Sequence, residues 1–99
     1  MARAKAKTAM LELPRHLDLP AAGPLHEQLL GLRGGALGID ASGVESLGGQ
    51  CLQVLLSAVA TWRADAVALR FERPSAGFEN GLALLGLSLE RLGEQEVAR

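Results

Sequence analysis

Ninety-nine residues, 48% of them hydrophobic, are enough for one small folded domain and exclude an intrinsically disordered chain. Only 3% of the residues are aromatic, so the core has to be built from Leu, Val, Ile and Ala. The net charge of −1, with no lysine after Lys7 and no basic run in the body, argues against nucleic-acid binding.

Charge is distributed unevenly along the chain. Arg3, Lys5 and Lys7 give the first eight residues a charge of +3, while the other seven basic and eleven acidic residues give −4. A short basic tail can contact nucleic acid or lipid, but we expect a solvated terminus. We therefore predict a basic tail at residues 1–8, a single domain at residues 9–92 and a polar tail at residues 93–99.

Cysteine content and hydropathy indicate the compartment. Cys51 is the single cysteine, so no intramolecular disulfide can form, as is typical of a reducing environment. The N-terminal residues lack the apolar region of a signal peptide. No apolar run approaches the roughly 20 residues that a membrane-spanning helix needs. We expect a cytoplasmic protein without membrane insertion.

Two short segments at the start of the domain predict strands. Apolar and polar residues alternate at residues 10–13 and again at residues 16–19. Pro14 and Arg15 between them suit a turn. We therefore expect a hairpin or meander at the edge of a sheet.

A helix and a central strand are predicted next. Residues 20–32 carry leucines at helical spacing, and Pro24 is compatible with that helix only in its first turn. Residues 36–39 are apolar at both alternate positions, which is typical of a strand covered on both faces, and Asp40 follows at its C-terminal end.

A second helix is predicted from about residue 49 to residue 64. Its inner stripe consists of Leu52, Leu55, Leu56, Val59 and Trp62. No charged residue occurs between Glu45 and Arg63, whereas solvated helix faces usually carry Lys or Glu. The opposite stripe is therefore either a docking surface or an ordinary neutral surface. It consists of Gln50, Gln53, Ser57, Ala60 and Thr61.

The rest of the chain completes an α/β pattern. Residues 66–72 predict a strand, and residues 76–85 predict a helix with Ser75 as its N-cap and Gly86 after its end. Residues 87–92 fit either a last strand or a short helix. The order β-β-α-β-α-β-α predicts an α/β fold with a small mixed, mostly parallel β-sheet flanked by α-helices.

The sequence predicts no catalytic residue, metal site or cofactor. His16 and His26 have no carboxylate or cysteine at metal-ligand spacing, so we expect surface or partly packed histidines. Cys51 follows a helix start, where a thiolate would be stabilised, but no general base stands beside it. We expect Cys51 to act as a small buried hydrophobe.

The loop before the second helix has several interpretations. Gly48 and Gly49 can form an anion site, a turn that needs positive φ, or a bare helix end that a partner approaches closely. No Lys or Ser/Thr follows them as in a nucleotide-binding loop, so we favour the last two. For Asp40, Ser42 and Ser46 we expect local structural roles, with proton transfer or phosphorylation as the alternatives.

The runs Leu37-Gly-Ile-Asp-Ala-Ser-Gly-Val and Leu47-Gly-Gly-Gln-Cys-Leu-Gln-Val-Leu resemble the STAS domain. The run Pro74-Ser-Ala-Gly-Phe, leading to Leu84-Leu-Gly-Leu, does so as well. The resemblance spans about residues 10–92 and implies a small sheet flanked by helices. It also implies the function of an anti-sigma factor antagonist, and the second run is similar to short STAS proteins linked to bacterial chemotaxis genes.

One family motif departs from the pattern here. Antagonists of the family usually carry Asp-Ser-Ser-Gly-Leu, whose second serine accepts a phosphate from a partner kinase. Aligned with this chain, the motif becomes Gly48-Gly-Gln-Cys-Leu52, so Gln50 occupies the phosphoacceptor position and cannot be phosphorylated. The resemblance therefore implies a surface that stays permanently in its binding-competent, uncharged form.

The resemblance implies a non-enzymatic module that binds a protein partner: an anti-sigma factor, a related kinase or a chemotaxis component. One alternative is a structural STAS subunit of an ABC-type lipid-transport complex. Another is a phospho-switch that uses Ser42 or Ser46. The sequence leaves the oligomeric state open. The predicted partner-binding residues are Asp40, Ser42, Ser46, Gly48, Gly49, Gln50, Gln53 and Ser57.

Overall fold

The computed structural model describes residues 8–88. Five strands lie in this part of the chain: β1 (Ala9–Glu12), β2 (His16–Leu17), β3 (Leu37–Asp40), β4 (Ser46–Leu47) and β5 (Leu69–Glu72). The helices in the same range are α1 (Leu19–Gly31), α2 (Gly49–Ala64) and α3 (Ala76–Leu84). The predictions for Arg3, Lys5 and Lys7, for most of residues 87–92 and for the tail at residues 93–99 lie outside the described residues.

The strands form a three-stranded sheet of order β1-β3-β5 and a two-stranded sheet of order β2-β4. Every strand pair in these two sheets is parallel. The α/β prediction is therefore confirmed. The predicted hairpin between the first two strands is wrong, because β1 pairs with β3 and β2 pairs with β4. Pro14 and Arg15 bend the chain from one sheet into the other instead of reversing it.

The central strand β3 is buried along its whole length, as predicted. In register, Leu37 lies beside Ala9 and Leu69, and Ile39 lies beside Leu11 and Phe71. Side chains at alternate positions of a strand share one face, so these two rows form the apolar face of the sheet. The core continues into the helices through Leu25, Leu29, Leu52, Leu55, Val59, Trp62, Phe78 and Leu82.

Helix boundaries follow the sequence signals closely, with one exception in α1. Its first turn begins at Leu19, so Pro20 occupies the first turn and Pro24 lies in the second. The expectation that Pro24 belongs to the first turn is therefore wrong. Helix α2 runs from Gly49 to Ala64 as predicted, and the Ser75 side chain caps α3 by accepting a hydrogen bond from the Phe78 N–H.

Two further segments differ from the predictions. Residues 46–47 form β4, which the sequence did not predict. A strand of two residues is too short to show an alternation of apolar and polar side chains. The strand predicted at residues 66–72 starts only at Leu69, because Ala66 has a φ of +60° in the turn after α2. After α3, Gly86 adopts a φ of +83°, and Leu87 and Ser88 form no regular element.

Candidate functional site

Asp40 organises the start of the loop between β3 and α2. Its side chain is buried, with 7% of the residue exposed. Oδ1 accepts a hydrogen bond of 2.9 Å from the Ser42 N–H, and Oδ2 accepts one from the Arg73 guanidinium. The Ser42 N–H and then Arg73 stabilise the charged form and lower the pKa of Asp40 to about 2. Asp40 is thus an anchor of the loop rather than a free acid or base.

The connection between β5 and α3 contacts the same loop. The Ser75 N–H donates to the Ala41 carbonyl oxygen over 3.1 Å, and Ser75 Oγ donates to the Val44 carbonyl oxygen. Gly77 lies against the loop backbone, since a Cβ at this position would stand 2.6 Å from the Glu45 carbonyl oxygen. The helix can approach the loop this closely only because Gly77 has no side chain.

Strand β2 holds the other side of the loop through main-chain bonds. The N–H groups of Glu45 and Ser46 donate to the Arg15 carbonyl oxygen over 2.6 and 3.2 Å. The Gly48 N–H donates to the Leu17 carbonyl oxygen over 2.8 Å. Both ends of the loop are therefore fixed, although Ser42 and Ser46 between them remain exposed.

The surface beside β2 carries a small polar network. Arg15 forms an ion pair with Glu45 at 3.0 Å, and both side chains are exposed. His16 Nδ1 lies 3.1 Å from Ser46 Oγ. Exposed pairs of this kind contribute little to stability, so the network shapes the surface more than it holds the fold.

Gly48 and Gly49 do not form the expected turn with positive φ, whereas the expected bare helix end is present at Gly49. Gly48 is the N-cap of α2 with a φ of −100°, so the expected turn with positive φ is wrong. Its lack of a side chain serves close packing instead, since a Cβ would lie 3.3 Å from the Leu17 carbonyl oxygen. Gly49 is exposed, and a Cβ there would meet nothing within 4 Å. The helix start is therefore open at Gly49.

Helix α2 separates into a buried and an exposed face. The buried residues are Cys51, Leu52, Leu55, Ala58, Val59 and Trp62. Trp62 Nε1 donates to the Gly35 carbonyl oxygen over 2.8 Å, which satisfies its polar group. Between Gln50 and Ala60, the exposed residues of α2 are uncharged: Gln50, Gln53, Ser57 and Ala60.

A shallow groove between α1 and α2 adjoins this exposed face, and the sequence did not predict it. Leu30 of α1, which is 53% exposed, lines it together with Val54, Ser57 and Thr61 of α2. Its cavity volume of about 50 Å³ is far below the roughly 300 Å³ typical of small-molecule sites. The groove suits a side chain of a partner better than a cofactor. Leu30, which falls outside the inner leucine stripe of α1, was the one sequence signal for it.

Cys51 is unsuited to nucleophilic chemistry. The side chain is fully buried, and Sγ donates to the Asp18 carbonyl oxygen over 3.3 Å. Burial, followed by the nearby negative charge of Asp18, raises the pKa of the thiol. The prediction of a small buried hydrophobe is confirmed.

The predicted partner-binding residues fall into two groups. Gly49, Gln50, Gln53 and Ser57 line neighbouring depressions on the exposed side of α2. Ser46 and Gly48 lead into this surface through β4. Asp40 and Ser42 lie at the far end of the loop beside Arg73, where Asp40 acts within the chain. Sequence reasoning missed Arg73 and Gly77, which only their tertiary contacts connect to the loop.

Comparison with protein families assigns this architecture. The family model described as "Mlab, STAS domain" matches residues 1–92. This chain belongs to the STAS domain family. The match covers nearly the whole chain, whereas comparison with curated proteins and with solved structures gave no match.

Membership in the STAS family defines the general type of the molecule. STAS domains are generally non-enzymatic binding modules that interact with other proteins, and membership in the family makes this chain a general, anti-sigma factor antagonist-like module. Among residues 8–88, no helix has both the length and the apolar character that crossing a membrane requires.

Proposed function

We propose that this STAS domain binds a signalling protein through a surface made of Gly49, Gln50, Gln53 and Ser57, together with Ser42 and Ser46 of the preceding loop. This set is called the α2 docking surface below. The partner is an anti-sigma factor, a related kinase or a chemotaxis component. Asp40 and Gly48 support the surface from within, because their contacts are made inside the chain.

The uncharged, exposed face of α2 is the observation that carries this proposal. Water solvates charged side chains strongly, and a partner has to strip that water before contact. On this face Gln50, Gln53 and Ser57 present neutral hydrogen-bonding groups around the apolar groove. Charged groups lie at the margins of this face: Arg33, which pairs with Asp65, lines the α1 side of the groove, and the Arg15–Glu45 pair lies beside Ser46.

Gln50 bears on how partner binding is regulated. It is exposed in the first turn of α2, at the position that the family resemblance assigns to the phosphoacceptor serine. A phosphate there would add close to two negative charges to a neutral surface. Gln50 keeps the surface neutral, so we propose that binding is constitutive.

Phosphorylation of Ser42 or Ser46 is the alternative form of regulation, because both serines are exposed. The hydroxyls of Ser42 and Ser46 are accessible, and a kinase could phosphorylate them in place of residue 50. Phosphopeptide mass spectrometry of the protein from cells tests this alternative. Detection of phosphate on Ser42 or Ser46 would contradict constitutive binding and support partner binding that phosphorylation switches on or off.

A pull-down with charge-inserting variants tests the docking surface. Gln53→Arg places a charge at its centre, and we expect loss of the partner with no change in the helical circular dichroism signal. Gln28→Arg is the matched control, because Gln28 is an exposed glutamine on α1 outside the groove lining. Gly49→Arg is a second test, since open space surrounds this position.

The outcomes separate the competing functions. Retained partner capture by folded Gln53→Arg and Gly49→Arg would refute the α2 docking surface. Capture of a stable complex with a transport ATPase would instead support the structural-subunit alternative. Mass spectrometry of the captured protein distinguishes these results.

A further inference from the structure

We propose that Arg73 and Ser75 are positioning residues for partner binding, because they fix the conformation of the loop at residues 41–45. This loop clamp rests on the proposed function, since it holds the loop that carries Ser42 and leads into the rest of the α2 docking surface. Arg73 and Ser75 do not belong to the α2 docking surface, and the STAS family motifs in this sequence assign no role to Arg73.

Arg73 reaches the loop from an uncommon backbone conformation. Its φ of +48° lies in the left-handed region, which residues other than glycine rarely adopt. The side chain is 70% exposed, yet its guanidinium bonds to the buried carboxylate of Asp40. Glu72 of β5 and Glu12 of β1 also act electrostatically on Arg73. The guanidinium thus places a positive charge beside three carboxylates, those of Glu12, Asp40 and Glu72.

Ser75 connects the loop to α3 with a single hydroxyl. Its Oγ accepts from the Phe78 N–H over 3.0 Å, which caps the helix, and donates to the Val44 carbonyl oxygen. The backbone N–H of Ser75 adds a bond to the Ala41 carbonyl oxygen. The start of α3 and the loop therefore share one hydrogen-bonded arrangement.

The two sides of the loop differ in how the sequence controls them. On the side of β2, the buried part of the contact consists of main-chain bonds to the carbonyl oxygens of Arg15 and Leu17, and the side-chain contacts there are exposed. The connection between β5 and α3 uses the Arg73 guanidinium and the Ser75 hydroxyl. Substitution at these two positions therefore loosens the loop, while the main-chain bonds of Ala41 to Glu72 and Ser75 remain and the docking side chains are unchanged.

Hydrogen exchange of the isolated protein tests the clamp directly. Arg73→Asn removes the guanidinium but retains a residue type that tolerates positive φ. We expect exchange of the Ser42 and Ser75 amides to accelerate about tenfold, while the Val59 amide in α2 keeps its rate. Arg73→Lys should restore part of the protection. Arg70→Asn, which removes a neighbouring exposed arginine, should leave it unchanged.

A second variant distinguishes the role of Ser75 as the cap of α3 from its role in holding the loop. It also keeps the proposal testable if Arg73→Asn does not fold. Ser75→Asp keeps an oxygen that can cap α3 but no hydroxyl to donate to Val44. It should loosen the loop while α3 stays protected. For binding, the probe is the partner protein captured by the wild-type chain, and its affinity should fall about tenfold in both variants.

Each outcome decides a different point. Unchanged Ser42 and Ser75 exchange in Arg73→Asn and Ser75→Asp would overturn the clamp, whatever the partner. Faster exchange with unchanged affinity would overturn the positioning role. Retained capture by Gln53→Arg refutes the docking surface itself, so failure of the proposed function is recognised independently.

Discussion

At the residue scale, Asp40 shows how a buried charge is made tolerable. An ionised carboxylate taken out of water is costly unless hydrogen bonds replace the lost solvation. Here the Ser42 N–H and the Arg73 guanidinium supply them. Asp40 is therefore ionised near neutral pH, and its carboxylate stabilises the loop that follows β3.

The lowered pKa of Asp40 predicts a pH dependence of stability. Its folded-state pKa of about 2 lies below the ordinary value of 3.8, so the ionised group stabilises the fold above about pH 4. That contribution is lost as the pH falls from about 4 to about 2. We expect Asp40→Asn to unfold at a lower urea concentration than the wild type near neutral pH, and this difference to shrink near pH 2.

Urea titrations across this pH range provide the measurement. Asp65→Asn is a suitable control, because the Asp65 side chain is 25% exposed whereas that of Asp40 is 10% exposed. Solvent screens the Asp65 carboxylate more strongly, so the effect of its removal should be smaller. An equal difference between Asp40→Asn and the wild type at both ends of the range would contradict the assigned role of Asp40.

At the scale of elements, the contact of α3 with the loop and β4 depends on two glycines one helical turn apart. A Cβ at Gly77 would lie 2.6 Å from the Glu45 carbonyl oxygen, and one at Gly81 would lie 2.7 Å from the Leu47 Cβ. Residues four apart share a helix face, so both glycines lie on the side that meets this part of the chain. The helix can then approach closely enough for Ser75 to reach Val44.

This packing predicts that Gly77→Ala is destabilising despite the better helix propensity of alanine. The obstructing atoms belong to the backbone and cannot rotate away, so we expect a loss of about 1–3 kcal/mol in the free energy of unfolding. Gly31→Ala at the end of α1 is the control, because nothing lies within 4 Å of a Cβ there. Urea denaturation of both variants gives the comparison. Equal stabilities would show that the contact is loose.

At the scale of the whole molecule, the charged groups lie around the outer face of α2 rather than on it. The ion pairs Arg15–Glu45, Arg33–Asp65 and Arg73–Asp40 lie around α2, whose exposed residues from Gln50 to Ala60 carry no charge. A surface of this kind binds through shape, neutral hydrogen bonds and an apolar groove. Long-range electrostatic attraction contributes little to such binding.

Binding to the captured partner should therefore depend only weakly on salt. We expect the dissociation constant to change less than about threefold between about 0.05 and 0.5 M sodium chloride, because the exposed residues of α2 from Gln50 to Ala60 carry no charge that salt could screen. Isothermal titration calorimetry at several salt concentrations measures the change. Gln53→Lys, if it retains weak binding, should introduce a salt dependence. A strong dependence in the wild type would place binding on the charged residues instead.

The sequence by itself determined the features that arise from local chemistry. Periodicity and capping within a few residues predict the limits of α2 at residues 49 and 64, the Ser75 cap and the buried β3. They also predict the inner stripe of α2 except for Leu56, which is half-buried and lines a depression beside Gln53. The absence of charge from the outer stripe of α2 could likewise be seen in the sequence. The same holds for the motifs that identify the STAS family.

Only the tertiary structure decided the features that join distant residues. These features involve residues that the fold brings together: the pairing of β1 with β3, the strand β4, the negative φ of Gly48 and the bond from Arg73 to Asp40. A two-residue strand has no alternation to read, and an arginine 33 positions from its carboxylate gives no local signal. Local preferences fix the elements, whereas burial and parallel pairing choose which of them meet.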